Sequence, residues 1–138
     1  MAYACAWAGK QHRYQAKFDI LKIMGSLETF YLLSLITQLV HSVEELSTSF
    51  HKKWYLFKMP FWVFLTFEIL FSLFWIVVLM LPTSSYKISL QVTFLLLMFA
   101  NGIQHLVWWG NVKKYVPGLI TAFIHVAIGI FYFIVIKS

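Results

Sequence analysis

The sequence predicts an all-α integral membrane protein with four transmembrane helices in an antiparallel bundle. Of its 138 residues, 61% are hydrophobic and 20% aromatic, while only 12% are charged; roughly a quarter of a soluble domain is charged. A soluble domain of this size has too much surface for its volume to hide so many apolar side chains. Four apolar segments also approach the roughly 20 residues that a helix needs to cross the hydrocarbon core. These observations exclude a water-soluble globule.

The predicted spans are separated by residues that interrupt helices. Pro60 stands in the first turn of the second span, where proline is tolerated, and Pro82 follows the end of that span. Pro117 and Gly118 separate the third span from the fourth. The connecting segments are short, so consecutive spans are expected to run antiparallel. The spans cover residues 27 to 48, 60 to 81, 88 to 110 and 116 to 136.

An N-terminal arm precedes the first span. The arm comprises residues 1–26, and the four-helix transmembrane domain comprises residues 27–138. Within the arm, Tyr14, Phe18 and Leu21 share one side of a helix. This pattern is typical of a short helix that lies in the membrane interface.

The chain carries a net charge of +6, from 11 Lys+Arg and 5 Asp+Glu. On a membrane protein this excess predicts contact with anionic lipid headgroups, and no ordered basic and aromatic surface favours nucleic acid. Six basic residues fall on one side of the four spans and five on the other. The distribution of charge therefore does not set the orientation in the membrane.

Polar residues inside the spans carry the functional signal, because an ionisable group at membrane depth is costly and usually serves function. On the first span these residues fall in one arc of about 120°, at about 100° per residue. The third and fourth spans repeat the pattern at spacings of three and four residues. The residues are His41, Glu44 and Glu45 on the first span, Glu68 on the second, Asn101, Gln104, His105 and Trp108 on the third, and His125 and Tyr132 on the fourth.

The polar side chains of all four spans, which are energetically unfavourable in lipid, are expected at one depth in the membrane. Measured from the side where the first span ends, at 1.5 Å per residue, the ionisable ones lie roughly 5 to 14 Å below the surface. This convergence predicts a polar pocket in one half of the membrane. The pocket would open toward the loops at residues 49–59 and 111–115.

Three sequence blocks resemble the HXXEE family of small polytopic membrane proteins. The letters HSVEE at residues 41–45 have the form of the motif that names the family. The blocks NGIQH at 101–105 and YVPG at 115–118 look like its later N-x-x-x-H and Y-x-P-G blocks. The resemblance covers residues from about 30 to 130 and supplies no reaction or substrate. It implies that the motif residues are His41, Glu44, Glu45, Asn101 and His105.

These residue types suit a transition-metal site, since neutral imidazole and carboxylate groups are ligands for zinc and iron. We expect His41, His105 and His125 to bind a divalent metal, with Glu44 as a fourth ligand. Glu45 is expected to act as the general base that takes a proton from bound water. Zinc is favoured over iron, because the Glu-x-x-His pair of di-iron helical bundles is absent.

The other residues of the predicted pocket are expected to orient a ligand or to contact substrate. Glu68 or Asn101 would orient a metal ligand through a hydrogen bond. Aromatic and amide side chains would line the substrate site. This second group consists of Gln104, Trp108 and Tyr132.

The sequence therefore predicts a membrane-embedded enzyme that hydrolyses a lipid-like substrate with the help of a metal. One alternative is a metal-free isomerase or cyclase that uses His and Glu as acid and base. Another is a proton-coupled carrier or channel subunit, which would need a homodimer because the other half of the membrane region is almost wholly apolar. A His and Glu pair that only holds helices together is the structural interpretation of the same residues.

Overall fold

The computed structural model describes the backbone of residues 2–137 and the side chains of residues 25–136. Over these residues the chain is helical, with turns and loops but no strand, which confirms the all-α class. The helices are α1 (Ala2–Ser47), α2 (Phe50–Lys53), α3 (Phe61–Met80), α4 (Ser85–Val112) and α5 (Leu119–Lys137).

Within the described residues, α3, α4 and α5 are long and apolar enough to cross a membrane. Their outward faces carry large hydrophobic side chains, such as Trp62 and Phe67 on α3 and Phe123 on α5, which are more than half exposed. A soluble protein would bury such side chains, whereas lipid tails solvate them. The structure therefore has the character of a multi-pass helical membrane protein.

The second, third and fourth predicted spans correspond to α3, α4 and α5, with small shifts at their ends. Helix α4 begins at Ser85, three residues before the predicted start, because the Ser84 side chain accepts a hydrogen bond from Lys87 N at 3.2 Å. Helix α5 begins at Leu119, after Gly118 adopts a positive φ of 78°. Gly118 therefore marks the start of α5 as predicted, whereas the Ser84 cap sets the start of α4.

Helix α1 runs without interruption through the predicted arm and the first predicted span. It ends at Ser47, where Ser49 adopts a left-handed φ of 62° before the one-turn helix α2. The side chains that predict an interfacial helix, Tyr14, Phe18 and Leu21, lie outside the described side chains. The interfacial helix and the division between residues 26 and 27 stay predictions.

The helices pack through apolar clusters on either side of a polar layer. One cluster joins α1, α3 and α4, and the Tyr31 hydroxyl donates to the Trp75 carbonyl within it. A second cluster joins α2, α3, α4 and the start of α5. Along α4, His105 lies between Met98 of the first cluster and Trp108 of the second. The polar residues therefore form a layer between two apolar ones.

An ion pair joins α1 to α4 at the far end of the bundle. Lys87 Nζ donates to Glu28 Oε1 at 2.8 Å, and Lys87 is only 6% exposed. The sequence analysis gave neither residue a partner, because they are 59 positions apart. The pair fixes the start of α4 against α1.

Candidate functional site

The centre of the polar layer is Glu45, which lies between two imidazoles. Its Oε1 atom is 3.3 Å from His41 Nε2, one turn back on α1, and 3.3 Å from His105 Nε2 on α4. All three residues are buried. The three ligand atoms lie within 4.8 Å of one another, so this group could hold a metal ion.

The 3.3 Å separations are long for direct hydrogen bonds and suit a shared cation. A charge-assisted bond from nitrogen to a carboxylate oxygen is typically about 2.7–2.9 Å long. Two atoms that each lie about 2.0–2.1 Å from a tetrahedral zinc ion are about 3.3–3.4 Å apart. The donor set and these two separations therefore fit a small divalent cation.

A hydrogen-bonded chain fixes the tautomer of His41. Thr121 Oγ1 has one hydrogen, which it donates to Glu44 Oε2 at 2.7 Å, because a carboxylate only accepts. The same oxygen then accepts from His41 Nδ1 at 2.6 Å. In the neutral imidazole this leaves a lone pair on Nε2, facing the acceptor oxygen of Glu45. The lone pair and the carboxylate oxygen repel each other unless a proton or a metal cation lies between them.

The two adjacent acids of the motif have different surroundings. Besides Thr121 Oγ1, Glu44 accepts from the backbone N–H groups of Ile120 and Thr121, at 3.0 and 3.1 Å, and from the Tyr115 hydroxyl at 2.6 Å. These amides belong to the first turn of α5, so Glu44 satisfies donors that a helix start leaves unpaired. Glu45 instead contacts the imidazoles.

Tyr115 serves as a stable donor to Glu44. Partial burial, together with the hydrogen bond to the Glu44 carboxylate and its negative charge, raises the pKa of Tyr115 to about 12. The phenol therefore keeps its proton at neutral pH. This contact links the Y-x-P-G block directly to the HXXEE block.

Gly118 lets the backbone pass against both imidazoles. A Cβ atom at this position would lie 2.5 Å from His41 Cε1 and 2.8 Å from His105 Cε1. Its φ of 78° is also a conformation that other residues adopt at a cost. The glycine of the Y-x-P-G block is therefore required by the geometry of the site.

The His41 and Glu45 side chains form part of the wall of a cavity of about 650 Å³. The cavity lies between α1, α3, α4 and the 50–59 segment, and most of its lining is apolar. Asn101 is in the wall, and its Nδ2 is 3.1 Å from His41 Nε2. The other polar lining residues are Gln38, Glu68 and Gln104.

A polar pair that includes Glu68 of the cavity wall joins α1 to α3. The Ser42 hydroxyl is hydrogen-bonded to Glu68 Oε2, which ties α1 to α3. Gln38 Nε2 donates to Ser42 Oγ at 3.3 Å, while Gln38 Oε1 is buried with no hydrogen-bond partner among the described residues. Glu68 therefore lies in the wall of the cavity. Its hydrogen-bond partner Ser42 received no role in the sequence analysis.

Three further predicted residues lie beside the site or away from it. His125 is buried with its ring centre 5.6 Å from that of His41, and both ring nitrogens lack a hydrogen-bond partner among the described residues. Trp108 packs in the second apolar cluster, with its ring 6.2 Å from the His105 ring. Tyr132 packs against Phe30 outside the cavity lining.

The grouped ligands differ from the predicted set in two positions. The sequence analysis assigned metal binding to His41, Glu44, His105 and His125, with Glu45 as base, whereas the group in the structure is His41, Glu45 and His105. Ligand roles for Glu44 and His125 stay predictions. Spacing alone could not separate Glu44 from Glu45, because both fall on the polar arc of α1.

Thr121 received no role in the sequence analysis. It lies one turn before His125 on the same face of α5, which was the only signal available for it. Its contact with His41 spans 80 positions and cannot be predicted from a single sequence. The same holds for the contact of Tyr115 with Glu44, 71 positions away.

The chain is thus a multi-pass helical protein with a buried His and Glu group beside a mostly apolar cavity. It belongs to the HXXEE family, described as protein of unknown function with HXXEE motif, whose model matches residues 32–133. No curated protein and no solved structure matches the chain significantly.

Replacing Thr121 with valine should weaken metal binding about 10- to 100-fold, because Thr121 orients His41 and accepts its Nδ1–H. Isothermal titration of purified protein with zinc measures this change. Thr37→Val is the matched control, since the Thr37 hydroxyl only donates to the carbonyl of Leu33 one turn back. Equal zinc affinity in the two variants would contradict the orienting role of Thr121.

Proposed function

We propose that this protein is a membrane-embedded hydrolase that uses one divalent metal ion, with zinc favoured over iron. The observation that carries the proposal is the position of Glu45 Oε1, 3.3 Å from both His41 Nε2 and His105 Nε2. Two histidines and one carboxylate are a ligand set of catalytic zinc in hydrolases. When bound, the metal polarises a carbonyl and lowers the pKa of a bound water.

The surrounding residues have separate roles in this proposal. Glu44 holds the His41 ring through Thr121, so that Nε2 is presented to the metal. Glu68, on α3 in the same cavity, is the candidate general base, in place of Glu45. The side-chain amides of Asn101 and Gln104 line the cavity, where they can orient a substrate carbonyl.

The proposal includes four membrane spans in antiparallel order, and the first is residues 27–48, which begin within α1 and end one residue after it. Contacts of α1 with α3 support opposite directions, because Tyr31 meets Trp75 whereas Ser42 meets Glu68. Contacts of α1 with α5 also support opposite directions, since Glu44 near the end of α1 meets Thr121 near the start of α5. Further along α5, Tyr132 meets Phe30, which lies earlier in α1.

A substrate that reaches the site from the bilayer is supported by the opening of the cavity. Several lining residues also lie on the exterior of the helices: Val63 and Phe67 on α3 are each 57% exposed, and Leu97 on α4 is 45% exposed. The cavity thus opens sideways between α3 and α4. This opening suits an apolar or amphipathic substrate.

A metal-free isomerase or cyclase is the second candidate, and one observation favours it. Asn101 Nδ2 lies 3.1 Å from His41 Nε2, where it can donate to the same lone pair that a metal would use. In this alternative His105 Nε2–H donates to Glu45, and its Nδ1 is left as an acceptor without a partner among the described residues. His41 and Glu45 would then exchange a proton with the substrate.

The carrier alternative has less support. A proton pathway needs polar groups from one side of the membrane to the other. Between the His and Glu group and the Glu28 and Lys87 pair lies the first apolar cluster, which contains Leu35, Phe94 and Met98. This packed cluster favours a site confined to one half of the bundle.

Hydrolysis of p-nitrophenyl palmitate by the detergent-purified chain tests the proposal. We expect turnover that is lost with a chelator and restored by zinc, and at least about 100-fold lower in His105→Ala, because a ligand is removed. Tyr132→Phe, outside the cavity, should keep the wild-type rate. Full turnover in chelated protein would contradict the metal, and no turnover by zinc-loaded protein would contradict the hydrolase.

A further inference from the structure

The bundle end nearest the site bears positive charge without surface acids to balance it. Among the residues after Leu46, Glu68 is the only acidic one, and it lies buried in the cavity wall. Just before that point, Glu44 is hydrogen-bonded to α5 and Glu45 contacts the imidazoles. The loops at this end carry five lysines, all exposed: Lys52, Lys53, Lys58, Lys113 and Lys114.

Three of these lysines stand in the segment that forms one wall of the cavity. Phe50, Trp54, Phe57 and Met59 line the cavity, and Lys52, Lys53 and Lys58 alternate with them along the 50–59 segment. The segment is held in place by a bond from Met59 N to His51 O at 3.0 Å. These exposed lysines therefore belong to the same segment as the wall residues, although they do not line the cavity themselves.

Two side chains of the cavity wall carry buried polar atoms without partners. Gln38 Oε1 and Trp54 Nε1 are buried, and neither has a hydrogen-bond partner among the described residues. Both side chains belong to the cavity wall. The cavity wall is mostly apolar with a few polar side chains, among them Asn101 and Gln104, and so suits an occupant that is largely apolar but carries polar atoms.

The size of the cavity limits the occupant. About 650 Å³ is within the range of pockets that hold one drug-sized ligand. The sideways opening past Val63, Phe67 and Leu97 gives an alkyl chain a route to the bilayer. One chain suits this cavity and opening better than the two chains of a phospholipid.

We propose that the cavity binds a single-chain anionic amphipath, with its charged head beside Lys52, Lys53 and Lys58 and its chain in the cavity. Basic residues near a membrane surface attract anionic groups. The inference names the substrate class of the proposed hydrolase and in that respect rests on it. Binding itself needs no metal, so it can be measured apart from hydrolysis.

The test uses quenching of tryptophan fluorescence by brominated ligands, because Trp54 lies in the cavity wall. The probes are a brominated long-chain alkyl phosphate, the matching brominated alcohol and brominated phosphatidylglycerol, each added to protein in non-ionic detergent. We expect saturable quenching by the alkyl phosphate, at least about tenfold tighter than by the alcohol. In Trp54→Phe the saturable part should disappear.

Matched variants separate the proposed lysines from general surface charge. Lys52→Gln, Lys53→Gln and Lys58→Gln together should remove the preference for phosphate over alcohol, whereas the triple arginine variant should keep it. Lys113→Gln with Lys114→Gln, at the same end but in the α4 to α5 connection, which contributes no residue to the cavity wall, should also keep it. Equal binding of alcohol and phosphate would overturn the inference, as would phosphatidylglycerol binding as tightly as the alkyl phosphate.

The outcome is independent of the proposed chemistry. Wild-type protein treated with a chelator should still bind the alkyl phosphate with near wild-type affinity, because the three lysines are not among the grouped metal ligands. Binding without metal or turnover would reject the hydrolase and leave this inference standing. Turnover of palmitate ester without preference for the anionic probe would reject this inference alone.

Discussion

Gly118→Ala is expected to destabilise the folded chain by about 3 kcal/mol or more and to disrupt the His and Glu group. The new methyl group would lie 2.5 Å from His41 Cε1 and 2.8 Å from His105 Cε1, so a ring or the backbone must move. A positive φ of 78° adds roughly 1–2 kcal/mol for a residue with a side chain. Thermal unfolding in detergent, followed by tryptophan fluorescence, measures the effect.

Gly110→Ala is the matched control for this prediction. It also replaces a glycine near the α4 to α5 connection, but a Cβ there meets nothing within 4 Å. Because Gly110 lies inside α4, alanine should leave stability unchanged or raise it by up to about 1 kcal/mol. Similar unfolding temperatures for both variants would show that the backbone does not pass against the imidazoles as described.

Glu45→Gln and Glu44→Gln are expected to fail in different ways, although the residues are adjacent. Glu45→Gln removes the charge between His41 and His105, so zinc affinity should fall at least about 100-fold while the helices remain folded. Glu44→Gln weakens the cap on α5 and the Tyr115 bond. It should lower the unfolding temperature and reduce zinc affinity by a smaller factor.

The comparison needs both measurements on both variants. Zinc titration and thermal unfolding of each protein give a two-by-two result, in which the larger loss of affinity belongs to Glu45 and the larger loss of stability to Glu44. A larger loss of zinc affinity in Glu44→Gln than in Glu45→Gln would support the ligand role that the sequence predicts for Glu44. Equal losses in both variants would indicate one structural ion network without a separate metal site.

Composition and helix breakers were sufficient to predict the helical class and most helix ends. The placement of α3 and α5 followed from apolar length and from Pro60, Pro117 and Gly118, because these effects act locally. The short helix α2 was not predicted, since its start depends on a left-handed serine at position 49. Nor was the continuity of α1, because the pattern changes near residue 26 and Gly25 is of a type that often ends a helix, yet α1 runs through it.

The location of the site was also readable from the sequence, whereas its internal assignments were not. The polar arc on α1 and the matching depth on α4 predicted the meeting of His41, Glu45 and His105. Which carboxylate faces the imidazoles depends on the packing of α5, where Thr121 and two backbone amides attract Glu44. Hydrogen bonds over 70 or more positions leave no periodic signal in one sequence.

The central claim is that His41, Glu45 and His105 bind one divalent metal ion. Elemental analysis of the detergent-purified protein tests it most directly, beside His105→Ala and His125→Ala. We predict close to one zinc ion per wild-type chain, less than about a tenth of that in His105→Ala, and near wild-type content in His125→Ala, because His125 is outside the grouped ligands. A folded wild-type protein that carries no metal and binds none when zinc is added would contradict the claim.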